Sequence, residues 1–340
     1  MLVNLSYKVL ASRDIGSEIN DVLSGLGMKK RCAFICDKDV LGITSEMCNA
    51  ISSRHDINVM NPESIEKGYL EIFAKHLDSF DFIIGAGGGR AMDAAKYASF
   101  LAGKPWIAFP TILSHDGVVS SRAVLNDNGS KTSIQAKEPV AIVVDLAIIK
   151  KAPYRFLAAG IGDLLSNIAA VEDWKIASKE GKETFRPFIA RLSSMSARSV
   201  IDSIDEIKKM DYGGIETVLW SLIASGFAMN LHGSSRPCSG SEHNFSHALE
   251  AMHVKALHGE QVALGTIASM YLQNKKWQRM KDVMEDFGLP VTAKAAGIQD
   301  EIAIEALHKA KSVRERFTVL NLRDLSKNDC RQVLQETGII

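Results

Sequence analysis

Residues 80–103 read FDFIIGAGGGRAMDAAKYASFLAG, and they carry the clearest indication of the fold class. FDFII has the length and apolar content of a buried strand, and AMDAAKYASFLA has the small and apolar residues of a helix. A cluster of glycines joins the two. A strand that runs through a glycine turn into a helix is the repeating unit of a parallel α/β sheet, so the sequence predicts that fold class here.

The glycine cluster, residues 85–90 (GAGGGR), has the composition of a phosphate-binding turn. Glycines let the backbone approach a phosphate closely, and the start of a helix presents free N–H groups to an anion. The cluster is not the GxGxxG fingerprint, since Arg90 stands at the last glycine position, and no P-loop Gly-Lys-Ser/Thr follows. We predict that it binds a diphosphate; a tight turn without a ligand is the alternative.

Strands and helices alternate up to about residue 150. The predicted strands are Cys32–Asp37, Ile57–Met60, Phe80–Ile84, Trp106–Phe109 and Val140–Val144. The first two helices are predicted over Asp39–Arg54 and Pro62–Leu77. Between Ser121 and Pro139 the pattern changes to a hairpin, with Asp127-Asn128-Gly129 as its turn. Asp37 ends the first of these strands, where dinucleotide folds often place an acid that holds the adenosine ribose; a cap of the next turn is the alternative.

After Pro153 only helical patterns remain. The predicted helices are Phe156–Ala170, Phe188–Ile204, Ile215–Leu231, Gln261–Leu272, Trp277–Phe287 and Glu301–Lys311. We therefore predict two domains. Residues 1–152 form an α/β domain with a mostly parallel, Rossmann-like sheet that binds a dinucleotide, and residues 153–340 form an all-α domain.

Composition excludes several classes of protein. Lys plus Arg and Asp plus Glu are 40 each, so the formal net charge is zero, which argues against a nucleic-acid partner and a polybasic membrane anchor. The sequence contains no run of about 18 apolar residues, which a membrane-spanning helix would need, and the N-terminus lacks the pattern of a signal peptide. The five cysteines form no CxxC pair. We expect a reduced, cytoplasmic protein that is not embedded in a membrane.

Histidines and one aspartate form a candidate metal site. Five of the nine histidines lie between residues 232 and 258. His243 and His247 are four residues apart and would share one helix face, while His258 opens the string HGEQ. Imidazole is the commonest protein ligand of a catalytic zinc, although Asn244 after His243 rules out the HExxH motif. Structural or surface histidines are the alternative.

A third, negatively charged ligand is expected for such a site. Asp163, in Gly160-Ile161-Gly162-Asp163, is the best candidate, because a carboxylate in this apolar stretch would be costly to bury unpaired. A cap for the helix LLSNIAAVEDW is the other interpretation of Asp163.

The loop Ser114-His115-Asp116 follows the strand WIAFP. Consecutive residues cannot adopt the geometry of a hydrolase triad, so we reject that interpretation. A polar loop at the carboxyl end of a parallel strand is where an open α/β sheet binds its ligand.

Five motifs in order identify a family. GAGGGRAMDAAKYA, PTILSHDGVVSS, GIGDLLSN, SGSEHNFSHALE and HGEQVALGT together resemble the sn-glycerol-1-phosphate dehydrogenases of archaea. These enzymes belong to a superfamily with glycerol dehydrogenase, iron-dependent alcohol dehydrogenases and dehydroquinate synthase. The resemblance runs from about residue 30 to beyond residue 270, and it implies a dehydroquinate synthase-like fold.

Details separate this branch from its relatives. Dehydroquinate synthases carry DxSVGGKT where this chain has HDGVVSSR, and glycerol dehydrogenases typically read STD where it has Ser114-His115-Asp116. The family often has Thr-Ala-Pro-Ser where residues 111–114 are Thr-Ile-Leu-Ser, so the hydrogen-bonding positions are kept.

The resemblance implies a role for each matching residue. One zinc ion per subunit would be held by Asp163, His243 and His258, with Asp163 also near the substrate. Asp116 and His247 would contact substrate and take part in catalysis. The resemblance assigns binding of NAD or NADP to Gly87, Gly88, Gly89, Arg90, Ala91, Thr111, Ile112, Leu113, Ser114 and Ser120, to which Asp37 is added from its strand position.

The implied reaction is the reversible, NAD(P)H-dependent reduction of dihydroxyacetone phosphate to sn-glycerol-1-phosphate, the backbone of archaeal membrane lipids. We expect a small-molecule substrate and a homo-oligomer. A glycerol dehydrogenase acting on unphosphorylated substrate and a dehydroquinate synthase-like lyase are the alternatives. Arg236 is a candidate partner of the substrate phosphate.

Overall fold

A computed structural model describes residues 7–127 and 130–340. The chain divides into two compact units at Ala152 and Pro153. The first contains the residues up to Leu113 together with Gly117–Ala152. The second contains Pro153–Ile340 and the short segment Ser114–Asp116.

A six-stranded parallel sheet forms the centre of the first unit. Its strands are β1 (Lys8–Ser12), β2 (Arg31–Cys36), β3 (Asp56–Met60), β4 (Phe82–Gly87), β5 (Trp106–Pro110) and β8 (Ala141–Asp145). The helices of this unit are α1 (Ile15–Gly25), α2 (Ser45–Ser52), α3 (Lys67–Lys75), α4 (Gly89–Leu101) and α5 (Leu146–Lys151). The mostly parallel sheet is confirmed, while β1, α1 and α5 were not predicted.

The strand order is β1-β8-β5-β4-β2-β3. The order in which the chain adds strands to the sheet therefore changes sides between β2 and β4. From β2 the chain moves outward to β3, then crosses back to β4 and continues to β5 on the other side. Ligands of open α/β sheets bind beyond the carboxyl ends of the strands at such a point. Asp37 follows β2 and the glycine turn follows β4, so both predicted cofactor elements lie there.

An antiparallel hairpin accounts for the region predicted between Ser121 and Pro139. Strands β6 (Arg122–Asp127) and β7 (Ser130–Gln135) pair with each other and not with the main sheet. The two remaining residues of the predicted turn, Asn128 and Gly129, lie outside the described residues.

The second unit is helical throughout residues 153–340, all of which the structure describes. Its α-helices are α6 (Tyr154–Lys179), α7 (Pro187–Asp202), α8 (Ile204–Lys208), α9 (Tyr212–His232), α10 (Ser241–Ala251), α11 (His258–Leu272), α12 (Trp277–Asp286), α13 (Asp300–Lys309) and α14 (Lys327–Glu336). The predicted helix Phe188–Ile204 corresponds to α7, which ends at Asp202. Helices α8 and α14 were not predicted, and α10 was only implied by the spacing of His243 and His247.

Helix α6 corrects one interpretation of Asp163. The alternative that Asp163 caps a helix is wrong, because α6 starts at Tyr154 and continues through the glycines to Lys179. The glycines do not end the helix; they let it approach α11. A Cβ on Gly162 would lie 2.5 Å from the carbonyl oxygen of Gly259, and one on Gly259 would lie 1.8 Å from that of Ala159.

Helix α10 packs as closely against α11. A Cβ on Gly265 would lie 2.5 Å from the carbonyl oxygen of Glu242. Helix α11 thus crosses both α6 and α10 with the backbones in close contact, and glycines occupy the crossings. Asp163 follows Gly162 on α6, His258 precedes Gly259 on α11, and His243 follows Glu242 on α10.

One helix in the described part of the chain, Tyr212–His232, has the length and mean hydropathy of a membrane span. More than half of its most apolar window, 56%, is buried inside the protein, as in the core helix of a globular protein.

We predict that Gly259→Ala lowers the free energy of unfolding by about 3 kcal/mol, because the added methyl group would overlap the backbone of α6. Gly213→Ala is the matched control, since Gly213 is exposed on α9 and its Cβ would meet nothing closer than 3.5 Å. Urea denaturation of both variants measures the difference. Equal stability of the two variants would contradict the tight crossing of α6 and α11.

Candidate active site

Three donor atoms from three helices converge in the second unit. Asp163, His243 and His258 each offer a ligand atom, and these atoms lie within 4.8 Å of one another. Nε2 of His243 lies 3.3 Å from Oδ1 of Asp163, and Nε2 of His258 lies 3.8 Å from the same oxygen. Donors around a tetrahedral zinc are separated by about 3.4 Å. The set therefore has the chemistry and the spacing to hold a divalent metal.

The other ring nitrogens of the two histidines are already occupied. Nδ1 of His243 lies 2.9 Å from Oε1 of the fully buried Glu242, and Nδ1 of His258 lies 3.2 Å from Oγ of Ser246. Such partners fix the orientation of a ligand histidine and leave Nε2 free for a metal. Glu242 was missed in the sequence, where its only signal is a carboxylate immediately before a candidate ligand.

Charge in the cluster is balanced locally. Burial alone would raise the pKa of Asp163, but hydrogen bonding and attraction to the two histidines hold it at about 2. Burial would lower the pKa of His243, but the carboxylates of Asp163 and Glu242 raise it to about 9. An acid this strongly biased toward its anion is suited to bind a cation.

His247 lies beside the cluster rather than in it. Its ring centroid is 6.3 Å from those of His243 and His258, and its Nδ1 lies 3.2 Å from Oε2 of Glu250. Burial and the positive charge of Arg314 lower the pKa of His247 to about 4, although Glu250 acts in the opposite direction. His247 is therefore a neutral imidazole at pH 7.

Asp116 reaches the cluster from the segment after β5. Its backbone N–H donates to Oδ2 of Asp163 at 2.9 Å, and its own carboxylate accepts a hydrogen bond from Oγ of Ser225 at 2.7 Å. Burial and the neighbouring Asp163 raise the pKa of Asp116 to about 7. The structure thus brings five of the predicted site residues together: Asp116, Asp163, His243, His247 and His258.

The glycine turn of the first unit fits a phosphate. Helix α4 begins at Gly89 after the N-cap Gly88, so no side chain caps its first N–H groups, and its first turn holds no acidic residue. A Cβ on Gly88 would lie 2.9 Å from Cδ1 of Ile112, and one on Gly87 would lie 2.9 Å from Cβ of Ala91. Only glycine leaves the backbone open here, as a diphosphate requires.

Asp37 and Arg90 form an ion pair at the same end of the sheet. Nη1 of Arg90 donates to Oδ1 of Asp37 at 3.0 Å, and Nη2 donates to the carbonyl oxygens of Pro62 and Glu63. Asp37 is at the N-cap position of a short 3-10 turn but makes no capping hydrogen bond. The carboxylate of Asp37 is thus paired with an arginine and does not cap a helix.

The remaining predicted cofactor residues follow β5. Thr111 and Leu113 are buried, and the backbone N–H of Thr111 donates to the carbonyl oxygen of Gly87 at 3.1 Å. The hydroxyl of Ser120 donates to the carbonyl oxygen of Arg122 at 3.2 Å. Ser114 groups with the second unit.

Arg236, the candidate partner of a substrate phosphate, is a structural residue. It is 1% exposed, and its Nη2 donates to the carbonyl oxygens of Asp173 and Phe317. Its Nε lies 2.6 Å from Glu183. That hypothesis is therefore wrong: the guanidinium is enclosed and already paired with a carboxylate.

A family model matches part of the chain, and named relatives match it over nearly its whole length. A family model described as iron-containing alcohol dehydrogenase matches residues 11–153. A glycerol-1-phosphate dehydrogenase (NAD(P)+) of Thermococcus kodakarensis is 38% identical, covering 100% of this chain and 98% of its own. The protein of that name from Methanosarcina barkeri is 40% identical, covering 99% of this chain and 96% of its own.

Solved structures share the fold at lower identity. A probable glycerol dehydrogenase from Sinorhizobium meliloti superposes with a TM-score of 0.78 at 21% identity, covering 99% of this chain and 97% of its own. The glycerol dehydrogenase of Schizosaccharomyces pombe gives 0.79 at 21% identity, covering 99% and 90%. The fold is therefore that of the glycerol and iron-type alcohol dehydrogenases, as expected for a dehydroquinate synthase-like architecture.

Proposed function

We propose that this chain, which belongs to the glycerol-1-phosphate dehydrogenase family, reversibly reduces dihydroxyacetone phosphate to sn-glycerol-1-phosphate with NAD(P)H. The observation that carries the proposal is the convergence of Asp163, His243 and His258, with Asp116 and His247 beside them. In a family whose members are named for this reaction, a donor set of this kind beside polar groups suits reduction of a ketone at C2.

We assign one zinc ion to Asp163, His243 and His258. When bound there, zinc supplies a Lewis acid that stabilises negative charge developing on the substrate C2 oxygen. Two histidines and one carboxylate are a common ligand set of catalytic zinc. Glu242 and Ser246 orient the two imidazoles toward that ion.

Asp116 and His247 hold the substrate, and Asp116, whose pKa is raised to about 7 by burial and the neighbouring Asp163, is suited to supply the proton that the reduction consumes. His247 lies on α10 one helical turn beyond His243, so it points to the same side of the helix. Asp116 is fixed by Ser225 and by its backbone hydrogen bond to Asp163. Both side chains are placed to hydrogen-bond a substrate hydroxyl.

The cofactor diphosphate would be held by Gly87–Ala91, and the rest of the dinucleotide by Thr111–Ser114 and Ser120. When bound, NAD(P)H supplies the hydride for C2. Asp37 would hydrogen-bond the adenosine ribose with Arg90 next to it, so the pair combines a group that favours NADH with one that can accept the 2′-phosphate of NADPH.

In this proposal the product serves as the glycerophosphate backbone of ether lipids, and the enzyme is a cytoplasmic homo-oligomer. The resemblance to the archaeal family supports the lipid role.

The central experiment compares substrates. We predict that kcat/KM for dihydroxyacetone phosphate exceeds that for dihydroxyacetone by about 10³-fold or more, because polar groups built for a phosphate are left unpaired by the shorter ketone. NADH oxidation with both ketones, and with glyceraldehyde as a control, measures the ratio. Comparable values would favour a glycerol dehydrogenase, and no net oxidation of NADH with any of them would favour the lyase.

The metal assignment predicts different behaviour for neighbouring histidines. His243→Ala and His258→Ala lose the zinc and turnover, whereas His247→Ala keeps the metal but has a lower kcat/KM. His253→Ala, an exposed position, is the control. Elemental analysis of the purified variants gives the metal content. Loss of zinc in His247→Ala with retention in His243→Ala would reverse the assignment.

Removal of the Asp37 charge should change cofactor choice. We predict that Asp37→Asn lowers the ratio of Kd for NADPH to Kd for NADH by about fivefold to tenfold, since the carboxylate no longer repels the 2′-phosphate or occupies Arg90. Asp39→Asn, two residues along and exposed, is the matched control. Cofactor fluorescence titrations measure both constants. The same ratio in both variants would remove Asp37 from the ribose site.

A further inference from the structure

Arg314 lies against the start of α10, close to the candidate active site. Its Nε donates to Oδ1 of Asn244 at 2.7 Å, and its Nη2 donates to Oγ of Ser239 at 2.6 Å. Within residues 7–127 and 130–340, its Nη1 makes no hydrogen bond and no carboxylate oxygen lies within 4.0 Å of the guanidinium. The side chain is partly buried, so a positive charge is held there with one edge uncommitted.

Neighbouring charges make this position electrostatically unfavourable for a cation. Burial, with repulsion from Arg316 and Arg236, lowers the pKa of Arg314, although the carboxylates of Glu242 and Asp173 act in the opposite direction. Both carboxylates already have other partners: Glu242 pairs with His243, and Asp173 accepts from Ser241. A bound anion would relieve the repulsion among the three arginines.

The guanidinium is held next to the residue assigned to substrate. Asn244, which orients it, lies between His243 and His247 on α10, three residues before His247. The charge of Arg314 is also among the causes that lower the pKa of His247. A substrate whose C2 oxygen lies at the donor cluster and whose hydroxyl contacts His247 would therefore extend toward Arg314.

We propose that Arg314 binds the phosphate of the substrate and is the residue that selects a phosphorylated ketone over its unphosphorylated analogue. This inference rests on the proposed function and adds the specificity determinant that it lacks. A guanidinium presents its N–H groups in a planar fork that matches a phosphate, and hydrogen bonds between charged groups are the strongest of their kind. Arg314 is partly exposed, whereas Nη1 of Arg236, which also lacks a hydrogen-bond partner, is enclosed and out of reach of a substrate.

The test uses Arg314→Gln, which retains the ability to hydrogen-bond Ser239 but removes the charge. Arg316→Gln is the matched control, because Arg316 lies two residues away and donates to the carbonyl oxygen of Ser239 at 2.6 Å and to Oγ of Ser235 at 3.0 Å. Calorimetric titration with sn-glycerol-1-phosphate and with inorganic phosphate gives affinity without turnover. Steady-state assays give kcat/KM for dihydroxyacetone phosphate and for dihydroxyacetone.

We expect Arg314→Gln to weaken binding of both phosphates at least tenfold and to lower the ratio of the two kcat/KM values by about 100-fold. Arg316→Gln should lower the melting temperature but keep the wild-type ratio. A merely structural Arg314 would lower both kcat/KM values by the same factor, and an unchanged ratio overturns this inference alone. A wild-type enzyme that does not prefer the phosphorylated ketone overturns the proposed function as well, so the two failures are distinguishable.

Discussion

The close contact of helix backbones at Gly162, Gly259 and Gly265 is the constraint on which the second unit depends. Each glycine stands where another helix presents a carbonyl oxygen, and any side chain would force the helices apart. The donors Asp163, His243 and His258 are carried by these same helices, next to the crossings. The distance between the donor atoms is therefore set by main-chain packing rather than by flexible side chains, which suits a site that must keep one geometry.

The buried side chain of Asp173 fixes the N-terminal end of α10. Oδ2 of Asp173 accepts hydrogen bonds from the backbone N–H and the Oγ of Ser241, both at 2.6 Å, and Oδ1 accepts from the N–H of Val319 at 2.8 Å. Burial and the nearby Glu242 raise the pKa of Asp173 to about 6. One side chain of α6 thus joins the first turn of α10 to the C-terminal segment that carries Arg314. The buried charged residues therefore have two kinds of role. Asp173 and Arg236 hold chain segments together, whereas Asp163 and the two histidines form the candidate metal site.

The sequence was most informative where one short stretch contains the whole signal. The strand, glycine turn and helix of residues 80–103 and the helical second half were predicted directly, because period and composition are local. The edge strand β1 was missed, since five half-exposed residues carry little pattern and gain their partner only from β8. Asp163 was singled out as a candidate ligand, but its helix was misjudged because glycines usually end helices. Glu242 and Arg314 were beyond reach, as only packing brings Arg314 to Asn244, 70 residues away.

The pairing of β1 with β8 has a consequence for how the protein is made. Lys8 pairs with Ala141 in register, so β1 leaves the ribosome long before β8, the strand with which it pairs. Contacts so distant along the chain are slow to form. Until then β2, β3, β4 and β5 can assemble alone, since each neighbours another in the group. Until β8 is synthesised, β1 and the free edge of β5 have no strand partner, so chaperones and wrong partners can compete for both.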